Sequence, residues 1–165
     1  MKRSKSKPAG GRPPHPYFMK IPEVKNSEEL VSLACLIEES GREMYKALAG
    51  KTSDKSLSAL FLSLAEEEEQ HREMFLSLKS REAEGTDTSL EEGTDLFDTG
   101  RLLTEIGHIG TAEDLLDFAI RRELDTILFY KRMAHTGFGD TALLEKMIKM
   151  EETHFYRLHE VKEKL

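Results

Sequence analysis

Glu-x-x-His occurs twice on long helical patterns in this chain, and each copy follows a lone glutamate at nearly the same distance. The first set is Glu38 followed by Glu68-x-x-His71, and the second is Glu123 followed by Glu151-x-x-His154. From lone glutamate to histidine the separations are 33 and 31 residues. A spacing of three residues puts the carboxylate and the imidazole on one helical face. Four carboxylates and two imidazoles, drawn from four helices, are the donor set of a dinuclear carboxylate metal centre.

The elements that must position these residues are four amphipathic helices. The first is expected from about Asn26 to Ala49, with Asn26 and Glu29 as a capping pair and Gly50 as the stop. Its apolar row is Leu30, Ala34, Ile37, Gly41, Met44 and Leu48, with Glu38 beside Ile37. The second spans about Ser53 to Leu78, with the row Leu57, Leu60, Leu64, Glu68, His71, Phe75 and Leu78. The third opens at Thr111 and ends before Gly137, with the row Ala112, Leu116, Ala119, Glu123, Thr126, Tyr130 and Met133. The fourth begins at Asp140, with Leu144, Ile148, Glu151, His154 and Leu158 in line. Glutamates inside such rows point into the core, where an unpaired carboxylate costs several kcal/mol. Protonation, pairing or metal must relieve that cost, and cations satisfy four glutamates and two histidines at matching depth.

The halves repeat one another. Tyr45 lies seven residues after Glu38, and Tyr130 seven after Glu123. Seven residues is two turns, so each tyrosine shares a face with its glutamate. Residues 79–110 between the halves are too long for a tight turn. They suit a crossover spanning the bundle end to end, with a short helix around Phe97 to Ile106, so that the second and third helices run parallel. The expected fold is all-α: a four-helix bundle of two helix hairpins joined by this long crossover.

Composition bounds the rest. All five prolines fall in the first 22 residues, which carry six positive charges and no acid. This reads as a disordered basic arm (residues 1–25) ahead of the bundle domain (26–165). Subtracting those six charges from the net −7 leaves −13 for the remainder. A nucleic-acid partner is therefore not expected over the main surface, although the arm leaves one open. The single cysteine, Cys35, excludes a disulfide framework and a Cys-x-x-Cys metal module. No apolar run reaches membrane-spanning length and no secretory signal is evident, so a cytoplasmic protein is expected.

Other candidates carry plainer readings. Glu105-x-x-His108 is a third motif copy in a glycine-flanked stretch without a partner glutamate, and is attributed to chance. Glu66, Glu67 and Glu69 read as a solvated face. His135 suits a helix C-terminus, His159 lies off the ligand stripe, Cys35 is a small flanking residue, and the methionines fill core. The arm reads as a solubilising tail.

The segments IEESGREMY, LAEEEEQH, AIRRELDTILFY and KMEETH, in this order and spacing, resemble the rubrerythrin-like branch of the ferritin-like di-iron carboxylate superfamily over roughly residues 27–163. The resemblance implies a bundle holding two iron ions, with manganese or zinc as possible occupants. It implies Glu38 and Glu123 as terminal ligands, Glu68 and Glu151 as bridges, and His71 and His154 as one cap per metal. Tyr45 and Tyr130 would donate hydrogen bonds to ligands. Two departures stand out. The rubredoxin module of full-length rubrerythrins is missing after the fourth helix, so electrons are expected from a separate rubredoxin-like donor. The extra glutamate ligand of rubrerythrin is replaced by Thr126, with Gly41 at the equivalent place in the first half. The site is therefore expected to be symmetric, without redox-linked ligand exchange.

The activity implied is non-haem di-iron oxidoreductase chemistry on hydrogen peroxide or dioxygen, in a homodimer. The alternatives are a ferroxidase or iron-handling protein, a manganese catalase-like centre and a metal-free structural bundle. Removing residues 1–22 is expected to leave helix content and metal binding unchanged, as read by circular dichroism and metal analysis. Loss of helix on truncation would show that the arm belongs to the folded body.

Overall fold

The computed structural model of the chain describes residues 23–82 and 98–165. The basic arm over residues 1–22 and the part of the crossover at 83–97 lie outside the described residues. Five helices are present among the described residues: α1 (Ser27–Lys51), α2 (Lys55–Glu82), α3 (Thr99–Gly107), α4 (Ala112–Ala134) and α5 (Thr141–Lys162). No strand occurs among the described residues, and none of their helices is long and apolar enough to cross a membrane.

Each long helix starts where its capping residue dictates. Asn26 accepts from the Glu29 amide at 2.8 Å, and the Glu29 carboxylate reaches back to the Lys25 amide at 2.8 Å. Asp54 caps α2 through the Ser56 and Leu57 amides. Thr111 accepts from the Asp114 amide at 3.1 Å, and Asp140 from the Leu143 amide at 3.1 Å. Gly50 does not stop α1, which runs on to Lys51 and ends at an extended Thr52. A glycine without a positive φ leaves the helix free to continue when packing supports the next turn. The α4–α5 turn instead requires its glycines: Gly137 and Gly139 both have φ +76°. The Gly139 amide donates to Ser27 Oγ at 3.0 Å, which ties this turn to the start of α1.

Two apolar clusters show how the helices run. One gathers Met44, Tyr45 and Leu48 from α1 with Leu57, Phe61 and Leu64 from α2, Leu116 and Ala119 from α4, and Leu158 from α5. The other gathers Leu30, Ala34 and Ile37 with Phe75, Phe129, Met133, Leu144 and Met147. The C-terminal half of α1 thus meets the N-terminal halves of α2 and α4, so α1 is antiparallel to both and α2 runs parallel to α4. That arrangement is what made a long crossover necessary. Val24, assigned by composition to the arm, is buried in the second cluster. In the expected rows, Phe61 and Met147 take the fully buried places beside Leu60 and Ile148. Between the clusters, at mid-height of all four long helices, lies a polar layer.

Candidate metal centre

That layer consists of the six residues singled out by spacing. Glu38, Glu68, His71, Glu123, Glu151 and His154 are all buried, none more than 3% exposed. They form two overlapping groups, Glu38/Glu68/His71/Glu151 and Glu68/Glu123/Glu151/His154, each offering ligand atoms within 4.8 Å of one another. Glu68 and Glu151 belong to both groups, Glu38 and Glu123 to one each. The imidazoles stack with centroids 5.2 Å apart and planes at 11°.

Both histidines turn Nδ1 inward. His71 Nδ1 lies 2.9 Å from Glu151 Oε1 and 3.2 Å from Glu38 Oε2. His154 Nδ1 lies 3.1 Å from Glu68 Oε1, 3.5 Å from Glu151 Oε2 and 3.8 Å from Glu123 Oε2. Despite these short separations, Glu123 Oε2, Glu151 Oε1 and His154 Nδ1 have no hydrogen-bonded partner. Their lone pairs converge on shared space rather than on each other. Orphaned buried donors and acceptors are costly, and cations at those two points would satisfy them. The donor set fits a pair of first-row metal ions.

Around this layer the hairpins cross-brace. Tyr45 on α1 donates to Glu123 on α4, and Tyr130 on α4 donates to Glu38 on α1. Each tyrosine therefore serves the glutamate of the opposite hairpin, not the one on its own helix. Burial, followed by the adjacent carboxylates, holds both phenols well above their ordinary range, so they remain donors. Gly41 has a steric reason: a Cβ there would stand 2.9 Å from Glu68 Oε2. Thr126, at the position of the missing glutamate, is buried and accepts from Arg122 Nη1 at 2.9 Å.

Two expectations need correction. Glu67 is not part of a solvated face. Its Oε2 lies 3.2 Å from His154 Nε2, and Arg157 Nη1 donates to both of its oxygens at 2.7 and 2.9 Å. Tertiary packing of α5 against α2 brings these partners together. The surroundings of the site are consequently not symmetric, because His71 Nε2 is buried without a partner. Glu66 is exposed as expected, and Glu69 pairs with Arg42 at the surface. His108 caps α3 and lies away from the site, while His135 caps α4 with Nδ1 2.6 Å from the Lys131 carbonyl oxygen. Cys35, the one cysteine of the sequence, is half-buried beside the second cluster.

Protonation follows from burial and crowding. Burial first, and Glu151 next, push Glu68 and Glu123 well above the ordinary carboxylate range. Burial also raises Glu151, but His154 and His71 outweigh it and hold that carboxylate below its usual range. For His71, burial is outweighed by Glu151 and Glu38, which lift it to about 9. His154 and Arg157 hold Glu67 down at about 2.

Comparison with known proteins agrees with this geometry. The family model described as Rubrerythrin matches residues 29–162. A Thermotoga maritima protein provisionally assigned as a ferritin-like diiron-carboxylate protein superposes with a TM-score of 0.64 at 24% identity, covering 84% of this chain and 95% of its own. A hypothetical protein of Pyrococcus furiosus superposes with a TM-score of 0.67 at 23% identity, covering 84% and 89%. At such identities the likeness establishes the ferritin-like fold. No curated protein matches the chain.

The proton balance yields a test. Raised Glu68, Glu123 and His71 mean that the metal-free folded protein binds more protons than the unfolded chain. Their contribution to stability is lost as pH rises, for His71 between 6.5 and about 9. Glu67, held at about 2, stays ionised across that window. Metal binding requires the same ligands deprotonated and so strengthens with pH. The melting temperature of chelator-treated protein should fall from pH 6 to 9, and its gap to protein saturated with Mn²⁺ should widen. A gap independent of pH would contradict the assignment.

Proposed function

The chain belongs to the rubrerythrin family, and on that footing we propose that its Glu/His layer is a di-iron centre reducing hydrogen peroxide with electrons from a separate donor protein. The observation carrying this reading is the sharing of Glu68 and Glu151 between two four-residue groups. Glu68 and Glu151 would hold two ions as a pair, and such a pair would supply redox chemistry toward a small oxygen species. Glu38 and His71 would complete one position, Glu123 and His154 the other.

When bound there, a ferrous pair would supply two electrons, which with two protons balance the reduction of one hydrogen peroxide to two waters. The chain's own residues prepare that step. Apolar clusters on both sides keep bulk water from the layer, which strengthens each electrostatic interaction within it. Tyr45 and Tyr130 hold the terminal glutamates from the opposite hairpin and keep protons at their hydroxyls beside Glu123 and Glu38. Nδ1 of each histidine faces the layer. The donor is proposed to be rubredoxin-like, since these 165 residues contain one cysteine and so no four-cysteine iron module. A homodimer is part of the same proposal, supported by Leu124 and Leu128, exposed one turn apart on α4. So is a reducing cytoplasm, in keeping with a sequence that carries a single cysteine.

Glu68→Ala or Glu151→Ala should lower metal content at both positions, whereas His108→Ala should leave it unchanged. Metal loss from His108→Ala with retention in His71→Ala would refute the ligand assignment. In stopped flow, ferrous protein should consume one peroxide per centre, faster than it consumes dioxygen, and then stop until reductant is added. Faster oxidation by dioxygen with iron accumulating as mineral would favour a ferroxidase. Sustained peroxide disproportionation without reductant would favour a manganese catalase-like centre.

A further inference from the structure

The two halves of the metal layer correspond ligand for ligand in residue type, but the residues behind the histidines do not. Glu67 immediately precedes the shared Glu68, and its counterpart before Glu151 is Met150. Arg157 lies three residues after His154, and its counterpart after His71 is Met74. Behind His154 the pair is ionic: Nε2 faces Glu67 Oε2 at 3.2 Å, Arg157 Nη1 binds both Glu67 oxygens at 2.7 and 2.9 Å, and Ser63 Oγ donates to Oε1 at 3.1 Å. The equivalent positions of the other half are two partly buried methionines packed into the second apolar cluster. His71 Nε2 is buried there with no hydrogen-bond partner.

We infer that Glu67 is a positioning residue that makes the two metal positions unequal, the one formed by Glu123 and His154 binding more tightly and filling first. This rests on the metal-centre reading above. An imidazole that donates Nε2–H to a carboxylate is confined to the tautomer with its Nδ1 lone pair free, is held in orientation, and becomes a stronger donor. Arg157 keeps Glu67 in place for that contact. His71 lacks such a partner, so its tautomer and ring orientation are set only by the inward face and by packing. The asymmetry orders the filling of the centre and assigns the higher positive charge to the Glu123/His154 position when the two ions differ in oxidation state.

Cobalt(II) absorption and calorimetric titrations of chelator-treated full-length protein test this without reference to activity. Wild type should bind two ions in two resolved steps. His154→Ala should abolish the tight step, and His71→Ala the weak one. Glu67→Ala should weaken the tight step alone, by about 10–100-fold as for other partners of ligating histidines, and merge the two steps into one. Glu67→Gln should recover part of the loss, because its carbonyl can still accept from Nε2, and Arg157→Ala should cause a smaller loss in the same direction. Circular dichroism confirms that each variant is folded. No change in Glu67→Ala, or equal weakening of both steps, would overturn the inference while leaving the metal centre intact. If wild type binds no cobalt that depends on His71 and His154, the metal-centre reading itself fails.

Discussion

Burying four carboxylates at one level of a helical bundle is the constraint from which the rest of this structure follows. Each costs several kcal/mol as an unpaired ion away from water, and marginally stable domains cannot absorb four such costs without compensation. The fold compensates by converging them with two imidazoles, so that one charged layer is enclosed by two apolar clusters. Proton sharing serves when metal is removed, as the raised Glu68, Glu123 and His71 indicate. Cations would serve better, because they also satisfy the orphaned atoms Glu123 Oε2, Glu151 Oε1 and His154 Nδ1.

The layer also joins the two hairpins. Glu68 and Glu151 come from opposite hairpins yet belong to both ligand groups, and the tyrosine contacts cross from each hairpin to the other. Disturbing either shared glutamate is therefore felt in both halves. Close approach at the layer explains Gly41, where even a methyl group would press on the Glu68 carboxylate.

Legibility of the sequence divides along physical lines. The ligands were readable because i,i+3 spacing and apolar rows are local properties of a helix, and because a glutamate inside such a row has few acceptable fates. The caps at Asn26, Thr111 and Asp140 were readable for the same reason. Crossing of the tyrosines was not, since Tyr45 shares a face with Glu38 along α1 and only the packing of α1 on α4 assigns it to Glu123. Glu67 was hidden in a run of four glutamates, and its role depends on Arg157, 90 residues away. The signal available was the mismatch between halves, Glu67 and Arg157 against Met150 and Met74. Gly50 misled because glycine weakens a helix without ending it where packing continues.

The central claim is that Glu68 and Glu151 bridge two ions. Anomalous diffraction at the iron edge, from crystals loaded with ferrous iron without oxygen, tests it most directly. The account requires two peaks roughly 3.5–4 Å apart, both between Glu68 and Glu151, with one beside Glu38 and His71 and the other beside Glu123 and His154. A single peak, or iron bound away from this layer, would contradict it.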